Sequence, residues 1–170
     1  KKFNLIKGSL RIADLGAAPG SWSQMLSEKL FVKGNNNKSK IYAIDLQNIE
    51  PIEKVIIIKK DIKDFLKESY IIDKNSLDLV LSDMAPKATG HRFTDQARAE
   101  DLVQAAVDFA KYYLAKNGNF ICKLLGINNK NNLIKQMKKN YKSVKLFKPE
   151  SSMKDSKEIY LICLSFNNLH

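Results

Sequence analysis

Residues 11–26 read RIADLGAAPGSWSQML, and they carry a strand, a tight turn and the start of a helix in sixteen letters. The apolar run RIADL has the β-branched and apolar character of a buried strand. Gly16 and Gly20 then permit tight backbone geometry and close approach of a ligand, while Pro19 stiffens the turn between them. Ser21, with Gln24 three residues on, is expected to form a capping box that opens the helix. The turn matches neither common phosphate loop, because a Walker A sequence needs four residues between its glycines and a following Lys, and the dinucleotide fingerprint needs GxGxxG. The spacing here is GxxxG without Lys, preceded by Asp14 and followed by the only Trp of the chain, Trp22. That combination suits a cationic ligand better than a pyrophosphate.

The same grammar continues outward from this stretch. Apolar runs bounded by turn residues predict strands over 10–15, 40–45, 54–58, 77–82, 119–125, 142–147 and 158–165. Helical patterns separate most of them, over 21–32, 61–68, 95–116 and 129–140, with Asn117-Gly118 expected to stop the long third helix. Strands alternating with helices imply an α/β fold with a mostly parallel sheet covered on both faces. The last two strands are joined only by KPESSMKDSK, too short for a parallel crossover, so they are expected to form an antiparallel pair at the sheet edge. No repeat, Pro-rich linker or domain break interrupts residues 1–170; only GNNNKSK at 34–40 reads as a polar loop, and one domain is expected.

Composition narrows the class. No apolar run approaches the ~20 residues that span a bilayer, so no membrane association is expected. KKFNLIKGSLR is too short and interrupted for a secretory signal. Without an initial Met, the sequence is read as starting inside a longer protein or after a removed or unseen segment. Cys122 and Cys163 lie in apolar runs without a CxxC or Cys/His grouping. They are read as core thiols of a reducing, cytoplasmic compartment, with no metal site. The net charge of +11 and pI of about 9.6 favour an anionic partner such as nucleic acid. A Lys-rich, Asn-rich and Ile-rich composition also arises from an AT-rich genome without selection for binding.

In open α/β sheets ligands bind outside the carboxyl ends of the strands, so the residues there are the candidates. After strand two, Asp45 is placed to accept both hydroxyls of a ribose. After strand three, Asp61 is placed to accept from an adenine amino group, or to cap the following helix. Asp83, in SDMAP after strand four, stands at the mouth, with Pro86 bending the chain away. Lys123 is an isolated Lys inside the apolar strand FICKLLG, which is uncommon unless the residue works or is paired. Glu158 begins the seventh strand.

The stretches ADLGAAPGSWSQ, AIDL, LVLSDMAP, FICKLL and KPESSMKDSKEIYLI occur in an order, over essentially the whole chain, that closely resembles the FtsJ-like (RrmJ) ribose 2′-O-methyltransferases. The resemblance implies a Rossmann-like S-adenosylmethionine-dependent methyltransferase fold, with seven mostly parallel strands and an antiparallel edge strand. It implies methylation of a ribose 2′-hydroxyl in RNA, in bacterial relatives a uridine of large-subunit ribosomal RNA. Gly16, Ala17, Pro19, Gly20 and Trp22 would then form the cofactor loop, with Gly20 and Trp22 on the methionine side. Asp45 would hold the cofactor's ribose and Asp61 its adenine, with Asp83 also at the cofactor. The family's catalytic set is Lys-Asp-Lys-Glu, and Asp83, Lys123 and Glu158 match its last three members. The first Lys lies in relatives on a helix well upstream of the first strand; Lys1, Lys2 and Lys7 do not match it, and no residue is assigned to that role.

Lys123 is the candidate general base, which requires it to be neutral when it takes the 2′-proton. Burial and a nearby sulfonium would lower its pKa, whereas Asp83 and Glu158 would raise it. Ten lysines against three acids between Lys123 and Glu158 supply phosphate contacts, and the loop KATGHRFTD adds Lys87, His91 and Arg92 beside the site. The expected partner is ribosomal RNA or the large ribosomal subunit, met by a monomer. Rival readings are a noncatalytic RNA-binding or assembly factor of the same fold, a 2′-O-methyltransferase of tRNA or a messenger cap, and an enzyme methylating a small molecule.

Overall fold

The computed structural model describes residues 5–6, 8–32, 38–65, 71–127, 130–149 and 158–167. Lys1, Lys2 and Lys7, part of the 34–40 loop, the second half of the helix expected over 61–68, and most of the connection before Glu158 lie outside these residues. Seven strands form one sheet: β1 (Arg11–Leu15), β2 (Lys40–Asp45), β3 (Val55–Lys59), β4 (Leu77–Ser82), β5 (Leu114–Lys123), β6 (Tyr141–Phe147) and β7 (Tyr160–Phe166). Their order is β3-β2-β1-β4-β5-β7-β6. The first five pair in parallel, and β7 runs antiparallel between β5 and β6. The antiparallel pair is therefore at the edge as expected, with β6 outermost.

Alternation along the strands sends side chains to two helical layers. Ile12 of β1, with Ile41 and Leu79, packs against Leu26 and Leu30 of α1 (Ser21–Leu30). Ala13 and Leu15, one residue out of phase, join Tyr42, Ile44 and Phe120 in the larger core. That core is closed by α2 (Ile62–Phe65) and α3 (Arg92–Tyr113), whose Phe65, Phe109 and Tyr113 rings meet at centroid distances of 4.5–5.8 Å. A fourth helix, α4 (Lys130–Asn140), buries Met137 and leaves its lysines outside. Cys122 and Cys163 are buried free thiols, and burial pushes each up to about 12, so both are inert under ordinary conditions.

Two local expectations fail for identifiable reasons. Gln24 donates to Glu28 (3.1 Å) instead of reaching back to Ser21, and the N-cap position is Gly20, so no capping box forms. The long helix ends at Tyr113, before Asn117-Gly118, because Leu114 turns extended and pairs with Leu77 of β4. Asn117, at φ 65°, instead turns the chain within a bulge, after which pairing resumes at Asn119 opposite Leu79. Gly118 is pressed against that turn: a Cβ would lie 2.9 Å from the Ala115 carbonyl oxygen and 3.0 Å from that of Leu77.

Both obstacles are backbone, which cannot swing aside. Gly118→Ala is therefore expected to lower the unfolding free energy by about 1–3 kcal/mol, read as an earlier urea midpoint at unchanged slope.

Candidate active site

The site is assembled where β1, β2, β3 and β4 end. The Gly16 N–H donates to the Ile44 carbonyl (2.9 Å) and the Asp83 N–H to that of Leu15 (3.1 Å), so the sheet's hydrogen bonding continues one step past the strands. Gly16 has φ 70°, and a Cβ there would lie 2.6 Å from the Met84 Cγ and 3.1 Å from the Met84 backbone. Gly20, at φ 117°, is walled by Ile49 and Ile52. The loop between them, which contains a cis Ala18–Pro19 bond, is clamped from β2: the Ala18 N–H donates to Asp45 Oδ2 at 2.9 Å, and Asp45 Oδ1 accepts from the Gln47 N–H at 2.7 Å.

These strand ends border a cleft of about 460 Å³ lined by Gly16, Asp45, Asp61, Asp83, Pro86 and Lys87 among others. Asp61 caps α2 by accepting from the Lys63 N–H (2.7 Å) and also lines the cleft. Ala17, Pro19, Gly20 and Trp22 are not part of this lining. Ala17 is buried against Ala43 and Ile49, Pro19 borders a separate cavity, and the Trp22 ring lies 5.9 Å from that of Tyr160.

Beneath the loop Asp14 is 1% exposed. Its Oδ2 accepts from the Ser23 hydroxyl of α1 at 2.7 Å, and its Oδ1 has no hydrogen-bond partner. Burial pushes this carboxyl up to about 6, against the Ser23 hydrogen bond and with a further push from Asp83 and Asp45. A half-satisfied buried carboxylate beside two others is the complement of a cationic group. Together with the cradle that a Cβ on Gly16 would fill, it fits the S-adenosylmethionine expected from sequence.

At the far side of Asp83, Lys123 emerges from β5 with its side chain 13% exposed. Its Nζ lies 3.2 Å from Asp83 Oδ1 and 3.2 Å from Glu158 Oε1. Burial pulls the ammonium's pKa down, but Asp83 and Glu158 outweigh it and hold the group above the ordinary lysine value. Sequence left that balance open; at rest Lys123 is an ammonium. Tyr160, which sequence reasoning passed over, completes the cluster by donating its hydroxyl to Asp83 Oδ1 at 3.3 Å, and burial with the two carboxylates keeps it protonated. The signal was present in the alternation of EIY: Glu158 and Tyr160 stand two apart and reach the same side of the sheet.

Asp14 gives a pH test. Because its folded value lies above the unfolded 3.8, its ionisation costs stability as pH rises from about 4 through about 6. Asp14→Asn, which keeps an acceptor for Ser23, should raise the ligand-free protein's stability by about 2–3 kcal/mol above pH 6. The gain should shrink towards zero below pH 4 in parallel denaturation curves; a gain independent of pH would contradict the assignment.

Comparison with known proteins agrees with this geometry. The model of the FtsJ-like methyltransferase family matches residues 1–166. Over 167 residues the chain is 41% identical to ribosomal RNA large subunit methyltransferase E of Rickettsia bellii, covering 97% of this chain and 74% of that protein. The Rickettsia felis protein of the same name is 40% identical over 166 residues, covering 96% and 73%. Among solved structures, a Plasmodium falciparum protein described as a ribosomal RNA methyltransferase superposes with a TM-score of 0.81 at 29% identity, covering 97% of this chain and 91% of that one. Human methyltransferase-like protein 13, solved with SAH, shares the fold at a TM-score of 0.60 and 14% identity, covering 97% and 79%. The glycine cradle, the acids at the strand ends and a family match spanning nearly the whole sequence lead to one conclusion: this chain belongs to the FtsJ-like methyltransferase family.

Proposed function

We propose that this chain transfers a methyl group from S-adenosylmethionine to a ribose 2′-hydroxyl of large-subunit ribosomal RNA. The observation that carries the reading is the Lys123 ammonium held 3.2 Å from both Asp83 and Glu158, beside a cleft that Asp45, Asp61 and Asp83 line. The substrate class follows the Rickettsia relatives, named for the large-subunit RNA. The finer reading is a uridine of the 23S-type RNA, methylated by a single-domain monomer in the cytoplasm. In the described residues no helix is long and apolar enough to cross a membrane.

S-adenosylmethionine, when bound, supplies an electrophilic methyl group on a cationic sulfonium. Asp45, already aligned by two backbone N–H groups, keeps lone pairs on both oxygens for ribose hydroxyls. Asp61 faces the same cleft at the end of β3, where an adenine amino group is to be met. Asp14 and Asp83 complement positive charge. The acceptor is a weakly acidic hydroxyl, so catalysis rests on alignment and on removal of its proton. Lys123 must first give up one proton and then accept the hydroxyl's on Nζ. Asp83 and Glu158 fix where Nζ stands, Tyr160 holds Asp83, and a cation in the neighbouring cleft shifts Lys123 towards the neutral amine. The lysines of α4 and β6, including exposed Lys135, Lys138, Lys139, Lys142 and Lys145, form a basic flank for phosphates.

Incubating the full chain with labelled S-adenosylmethionine and either large subunits or total RNA, then mapping ribose methylation, tests the reading. Cofactor binding without any RNA methylation would overturn it and favour the noncatalytic alternative. Lys123→Ala should lower kcat by about 10²–10⁴ while still binding the cofactor, and Lys123→Arg, which cannot deprotonate, should not restore it. Because Lys123 titrates above its ordinary value, the wild-type rate should climb with pH through the neutral range; a flat profile in the chemical step would remove Lys123 as the base. RNA affinity should also fall steeply with salt. Replacing Lys142 and Lys145 by Ala should reduce the slope of log affinity against log salt by about 1–2.

A further inference from the structure

The segment leaving β4 passes Pro86 and Lys87 on the cleft wall and turns at Gly90 into α3. It is pinned there by Asp95, whose carboxylate accepts from the Thr89 N–H (2.8 Å), the Thr89 hydroxyl (2.6 Å) and the Gly90 N–H (3.2 Å). These bonds hold the Asp95 carboxyl below its ordinary pKa and keep the clamp closed at neutral pH. The fixed turn presents Phe93 to solvent at 87% exposure, the highest value among the exposed large hydrophobic residues described. A ring this exposed contributes almost nothing to the core, so what stands around it decides what it can do.

Its surroundings say what kind of contact. Exposed His91 and Arg92 precede it, exposed Arg98 follows five residues on along α3, and Lys87 lies six residues back at the cleft. In a chain with 26 lysines, two of its three arginines flank this one ring. Guanidinium groups differ from ammonium groups in stacking on flat faces and gripping phosphates with two hydrogen bonds. An aromatic face bordered by cations is the combination that holds unpaired nucleotides, the ring taking a base and the cations the phosphates. Six residues span at most about 21 Å, so Phe93 falls within the footprint of a strand several nucleotides long entering at Lys87.

We propose that Phe93 is a stacking platform for an unpaired nucleobase flanking the target nucleotide, with Arg92, Arg98 and Lys87 on the adjoining phosphates. This assignment rests on the RNA-methylating reading above and makes Phe93 a positioning residue. It places the strand across the start of α3 as well as along the lysines of α4 and β6.

The test uses the full chain carrying Phe93→Ala, Phe93→Leu or Phe93→Trp, with a single-stranded oligoribonucleotide and with large ribosomal subunits. Phe93→Ala should weaken affinity for the oligonucleotide and raise KM for RNA about tenfold, leaving kcat at saturating RNA, cofactor affinity and thermal stability unchanged. Phe93→Trp should restore affinity, and its indole fluorescence should be quenched by the oligonucleotide beyond the response of Trp22 in the wild type. Phe93→Leu should not restore affinity. Wild-type affinity in Phe93→Ala, or full rescue by Leu, would overturn the proposal. Loss confined to assembled subunits, with oligonucleotide binding intact, would overturn it in favour of a protein contact. The quenching and affinity measurements need no methyl transfer, so RNA binding that depends on Phe93 without any methylation would count against the enzymatic reading and leave the platform standing.

Discussion

Gly16 has no room for a side chain, and the arrangement of the site follows from that contact. With Met84 filling the space that a Cβ would need and the Gly16 N–H bonded to Ile44, the first loop is held between the ends of β2 and β4. The Asp83 N–H, bonded to Leu15, draws the fourth strand's exit to the same place. Asp45 and Asp83 therefore project from the strand ends on either side of β1, and the β2 carboxylate locks the loop in return through Ala18. A Cβ at residue 16 would force the exit of β4 away from the end of β1, since the obstruction includes Met84 backbone as well as its side chain.

The charge distribution runs opposite to the composition. A chain of net charge +11 puts Asp45, Asp61 and Asp83 on its cleft beside Lys60 and Lys87, buries Asp14 beneath the cleft's first loop, and exposes a group of lysines on α4 and β6. The separation lets one molecule attract a polyanion while keeping a pocket complementary to a cation. Lys123 stands at the boundary between the two regions. Its two carboxylate partners position Nζ at the cost of favouring its charged form, so a cation entering the cleft and the deprotonation of Lys123 are electrostatically coupled.

Much of the fold was legible because strand and helix periodicities differ and turn residues separate them. The run LDLVLSDMAP specified a buried strand and an acid at its end, and the structure has both. The misreadings share one cause. Asn117-Gly118 is a proper helix stop by local chemistry, but Leu114 gained a partner in Leu77 and left the helix earlier. Ser21 and Gln24 have the letters of a capping box, but Gly20 already occupied the cap position and Gln24 found Glu28. Tyr160 was overlooked because the alternation of EIY puts it on the side of Glu158 but does not show that its hydroxyl meets a carboxylate seventy-seven positions away.

By itself the sequence determined the order of elements, the glycine turn, the acids at strand ends and the isolated Lys123, since each depends on chemistry within a few residues. Only the tertiary structure decided that Lys123 rests as an ammonium between Asp83 and Glu158, that Asp14 keeps a buried oxygen without a partner, and that Phe93 stands in water. Those outcomes depend on desolvation and on distances between groups far apart in the chain, which packing sets and local pattern does not.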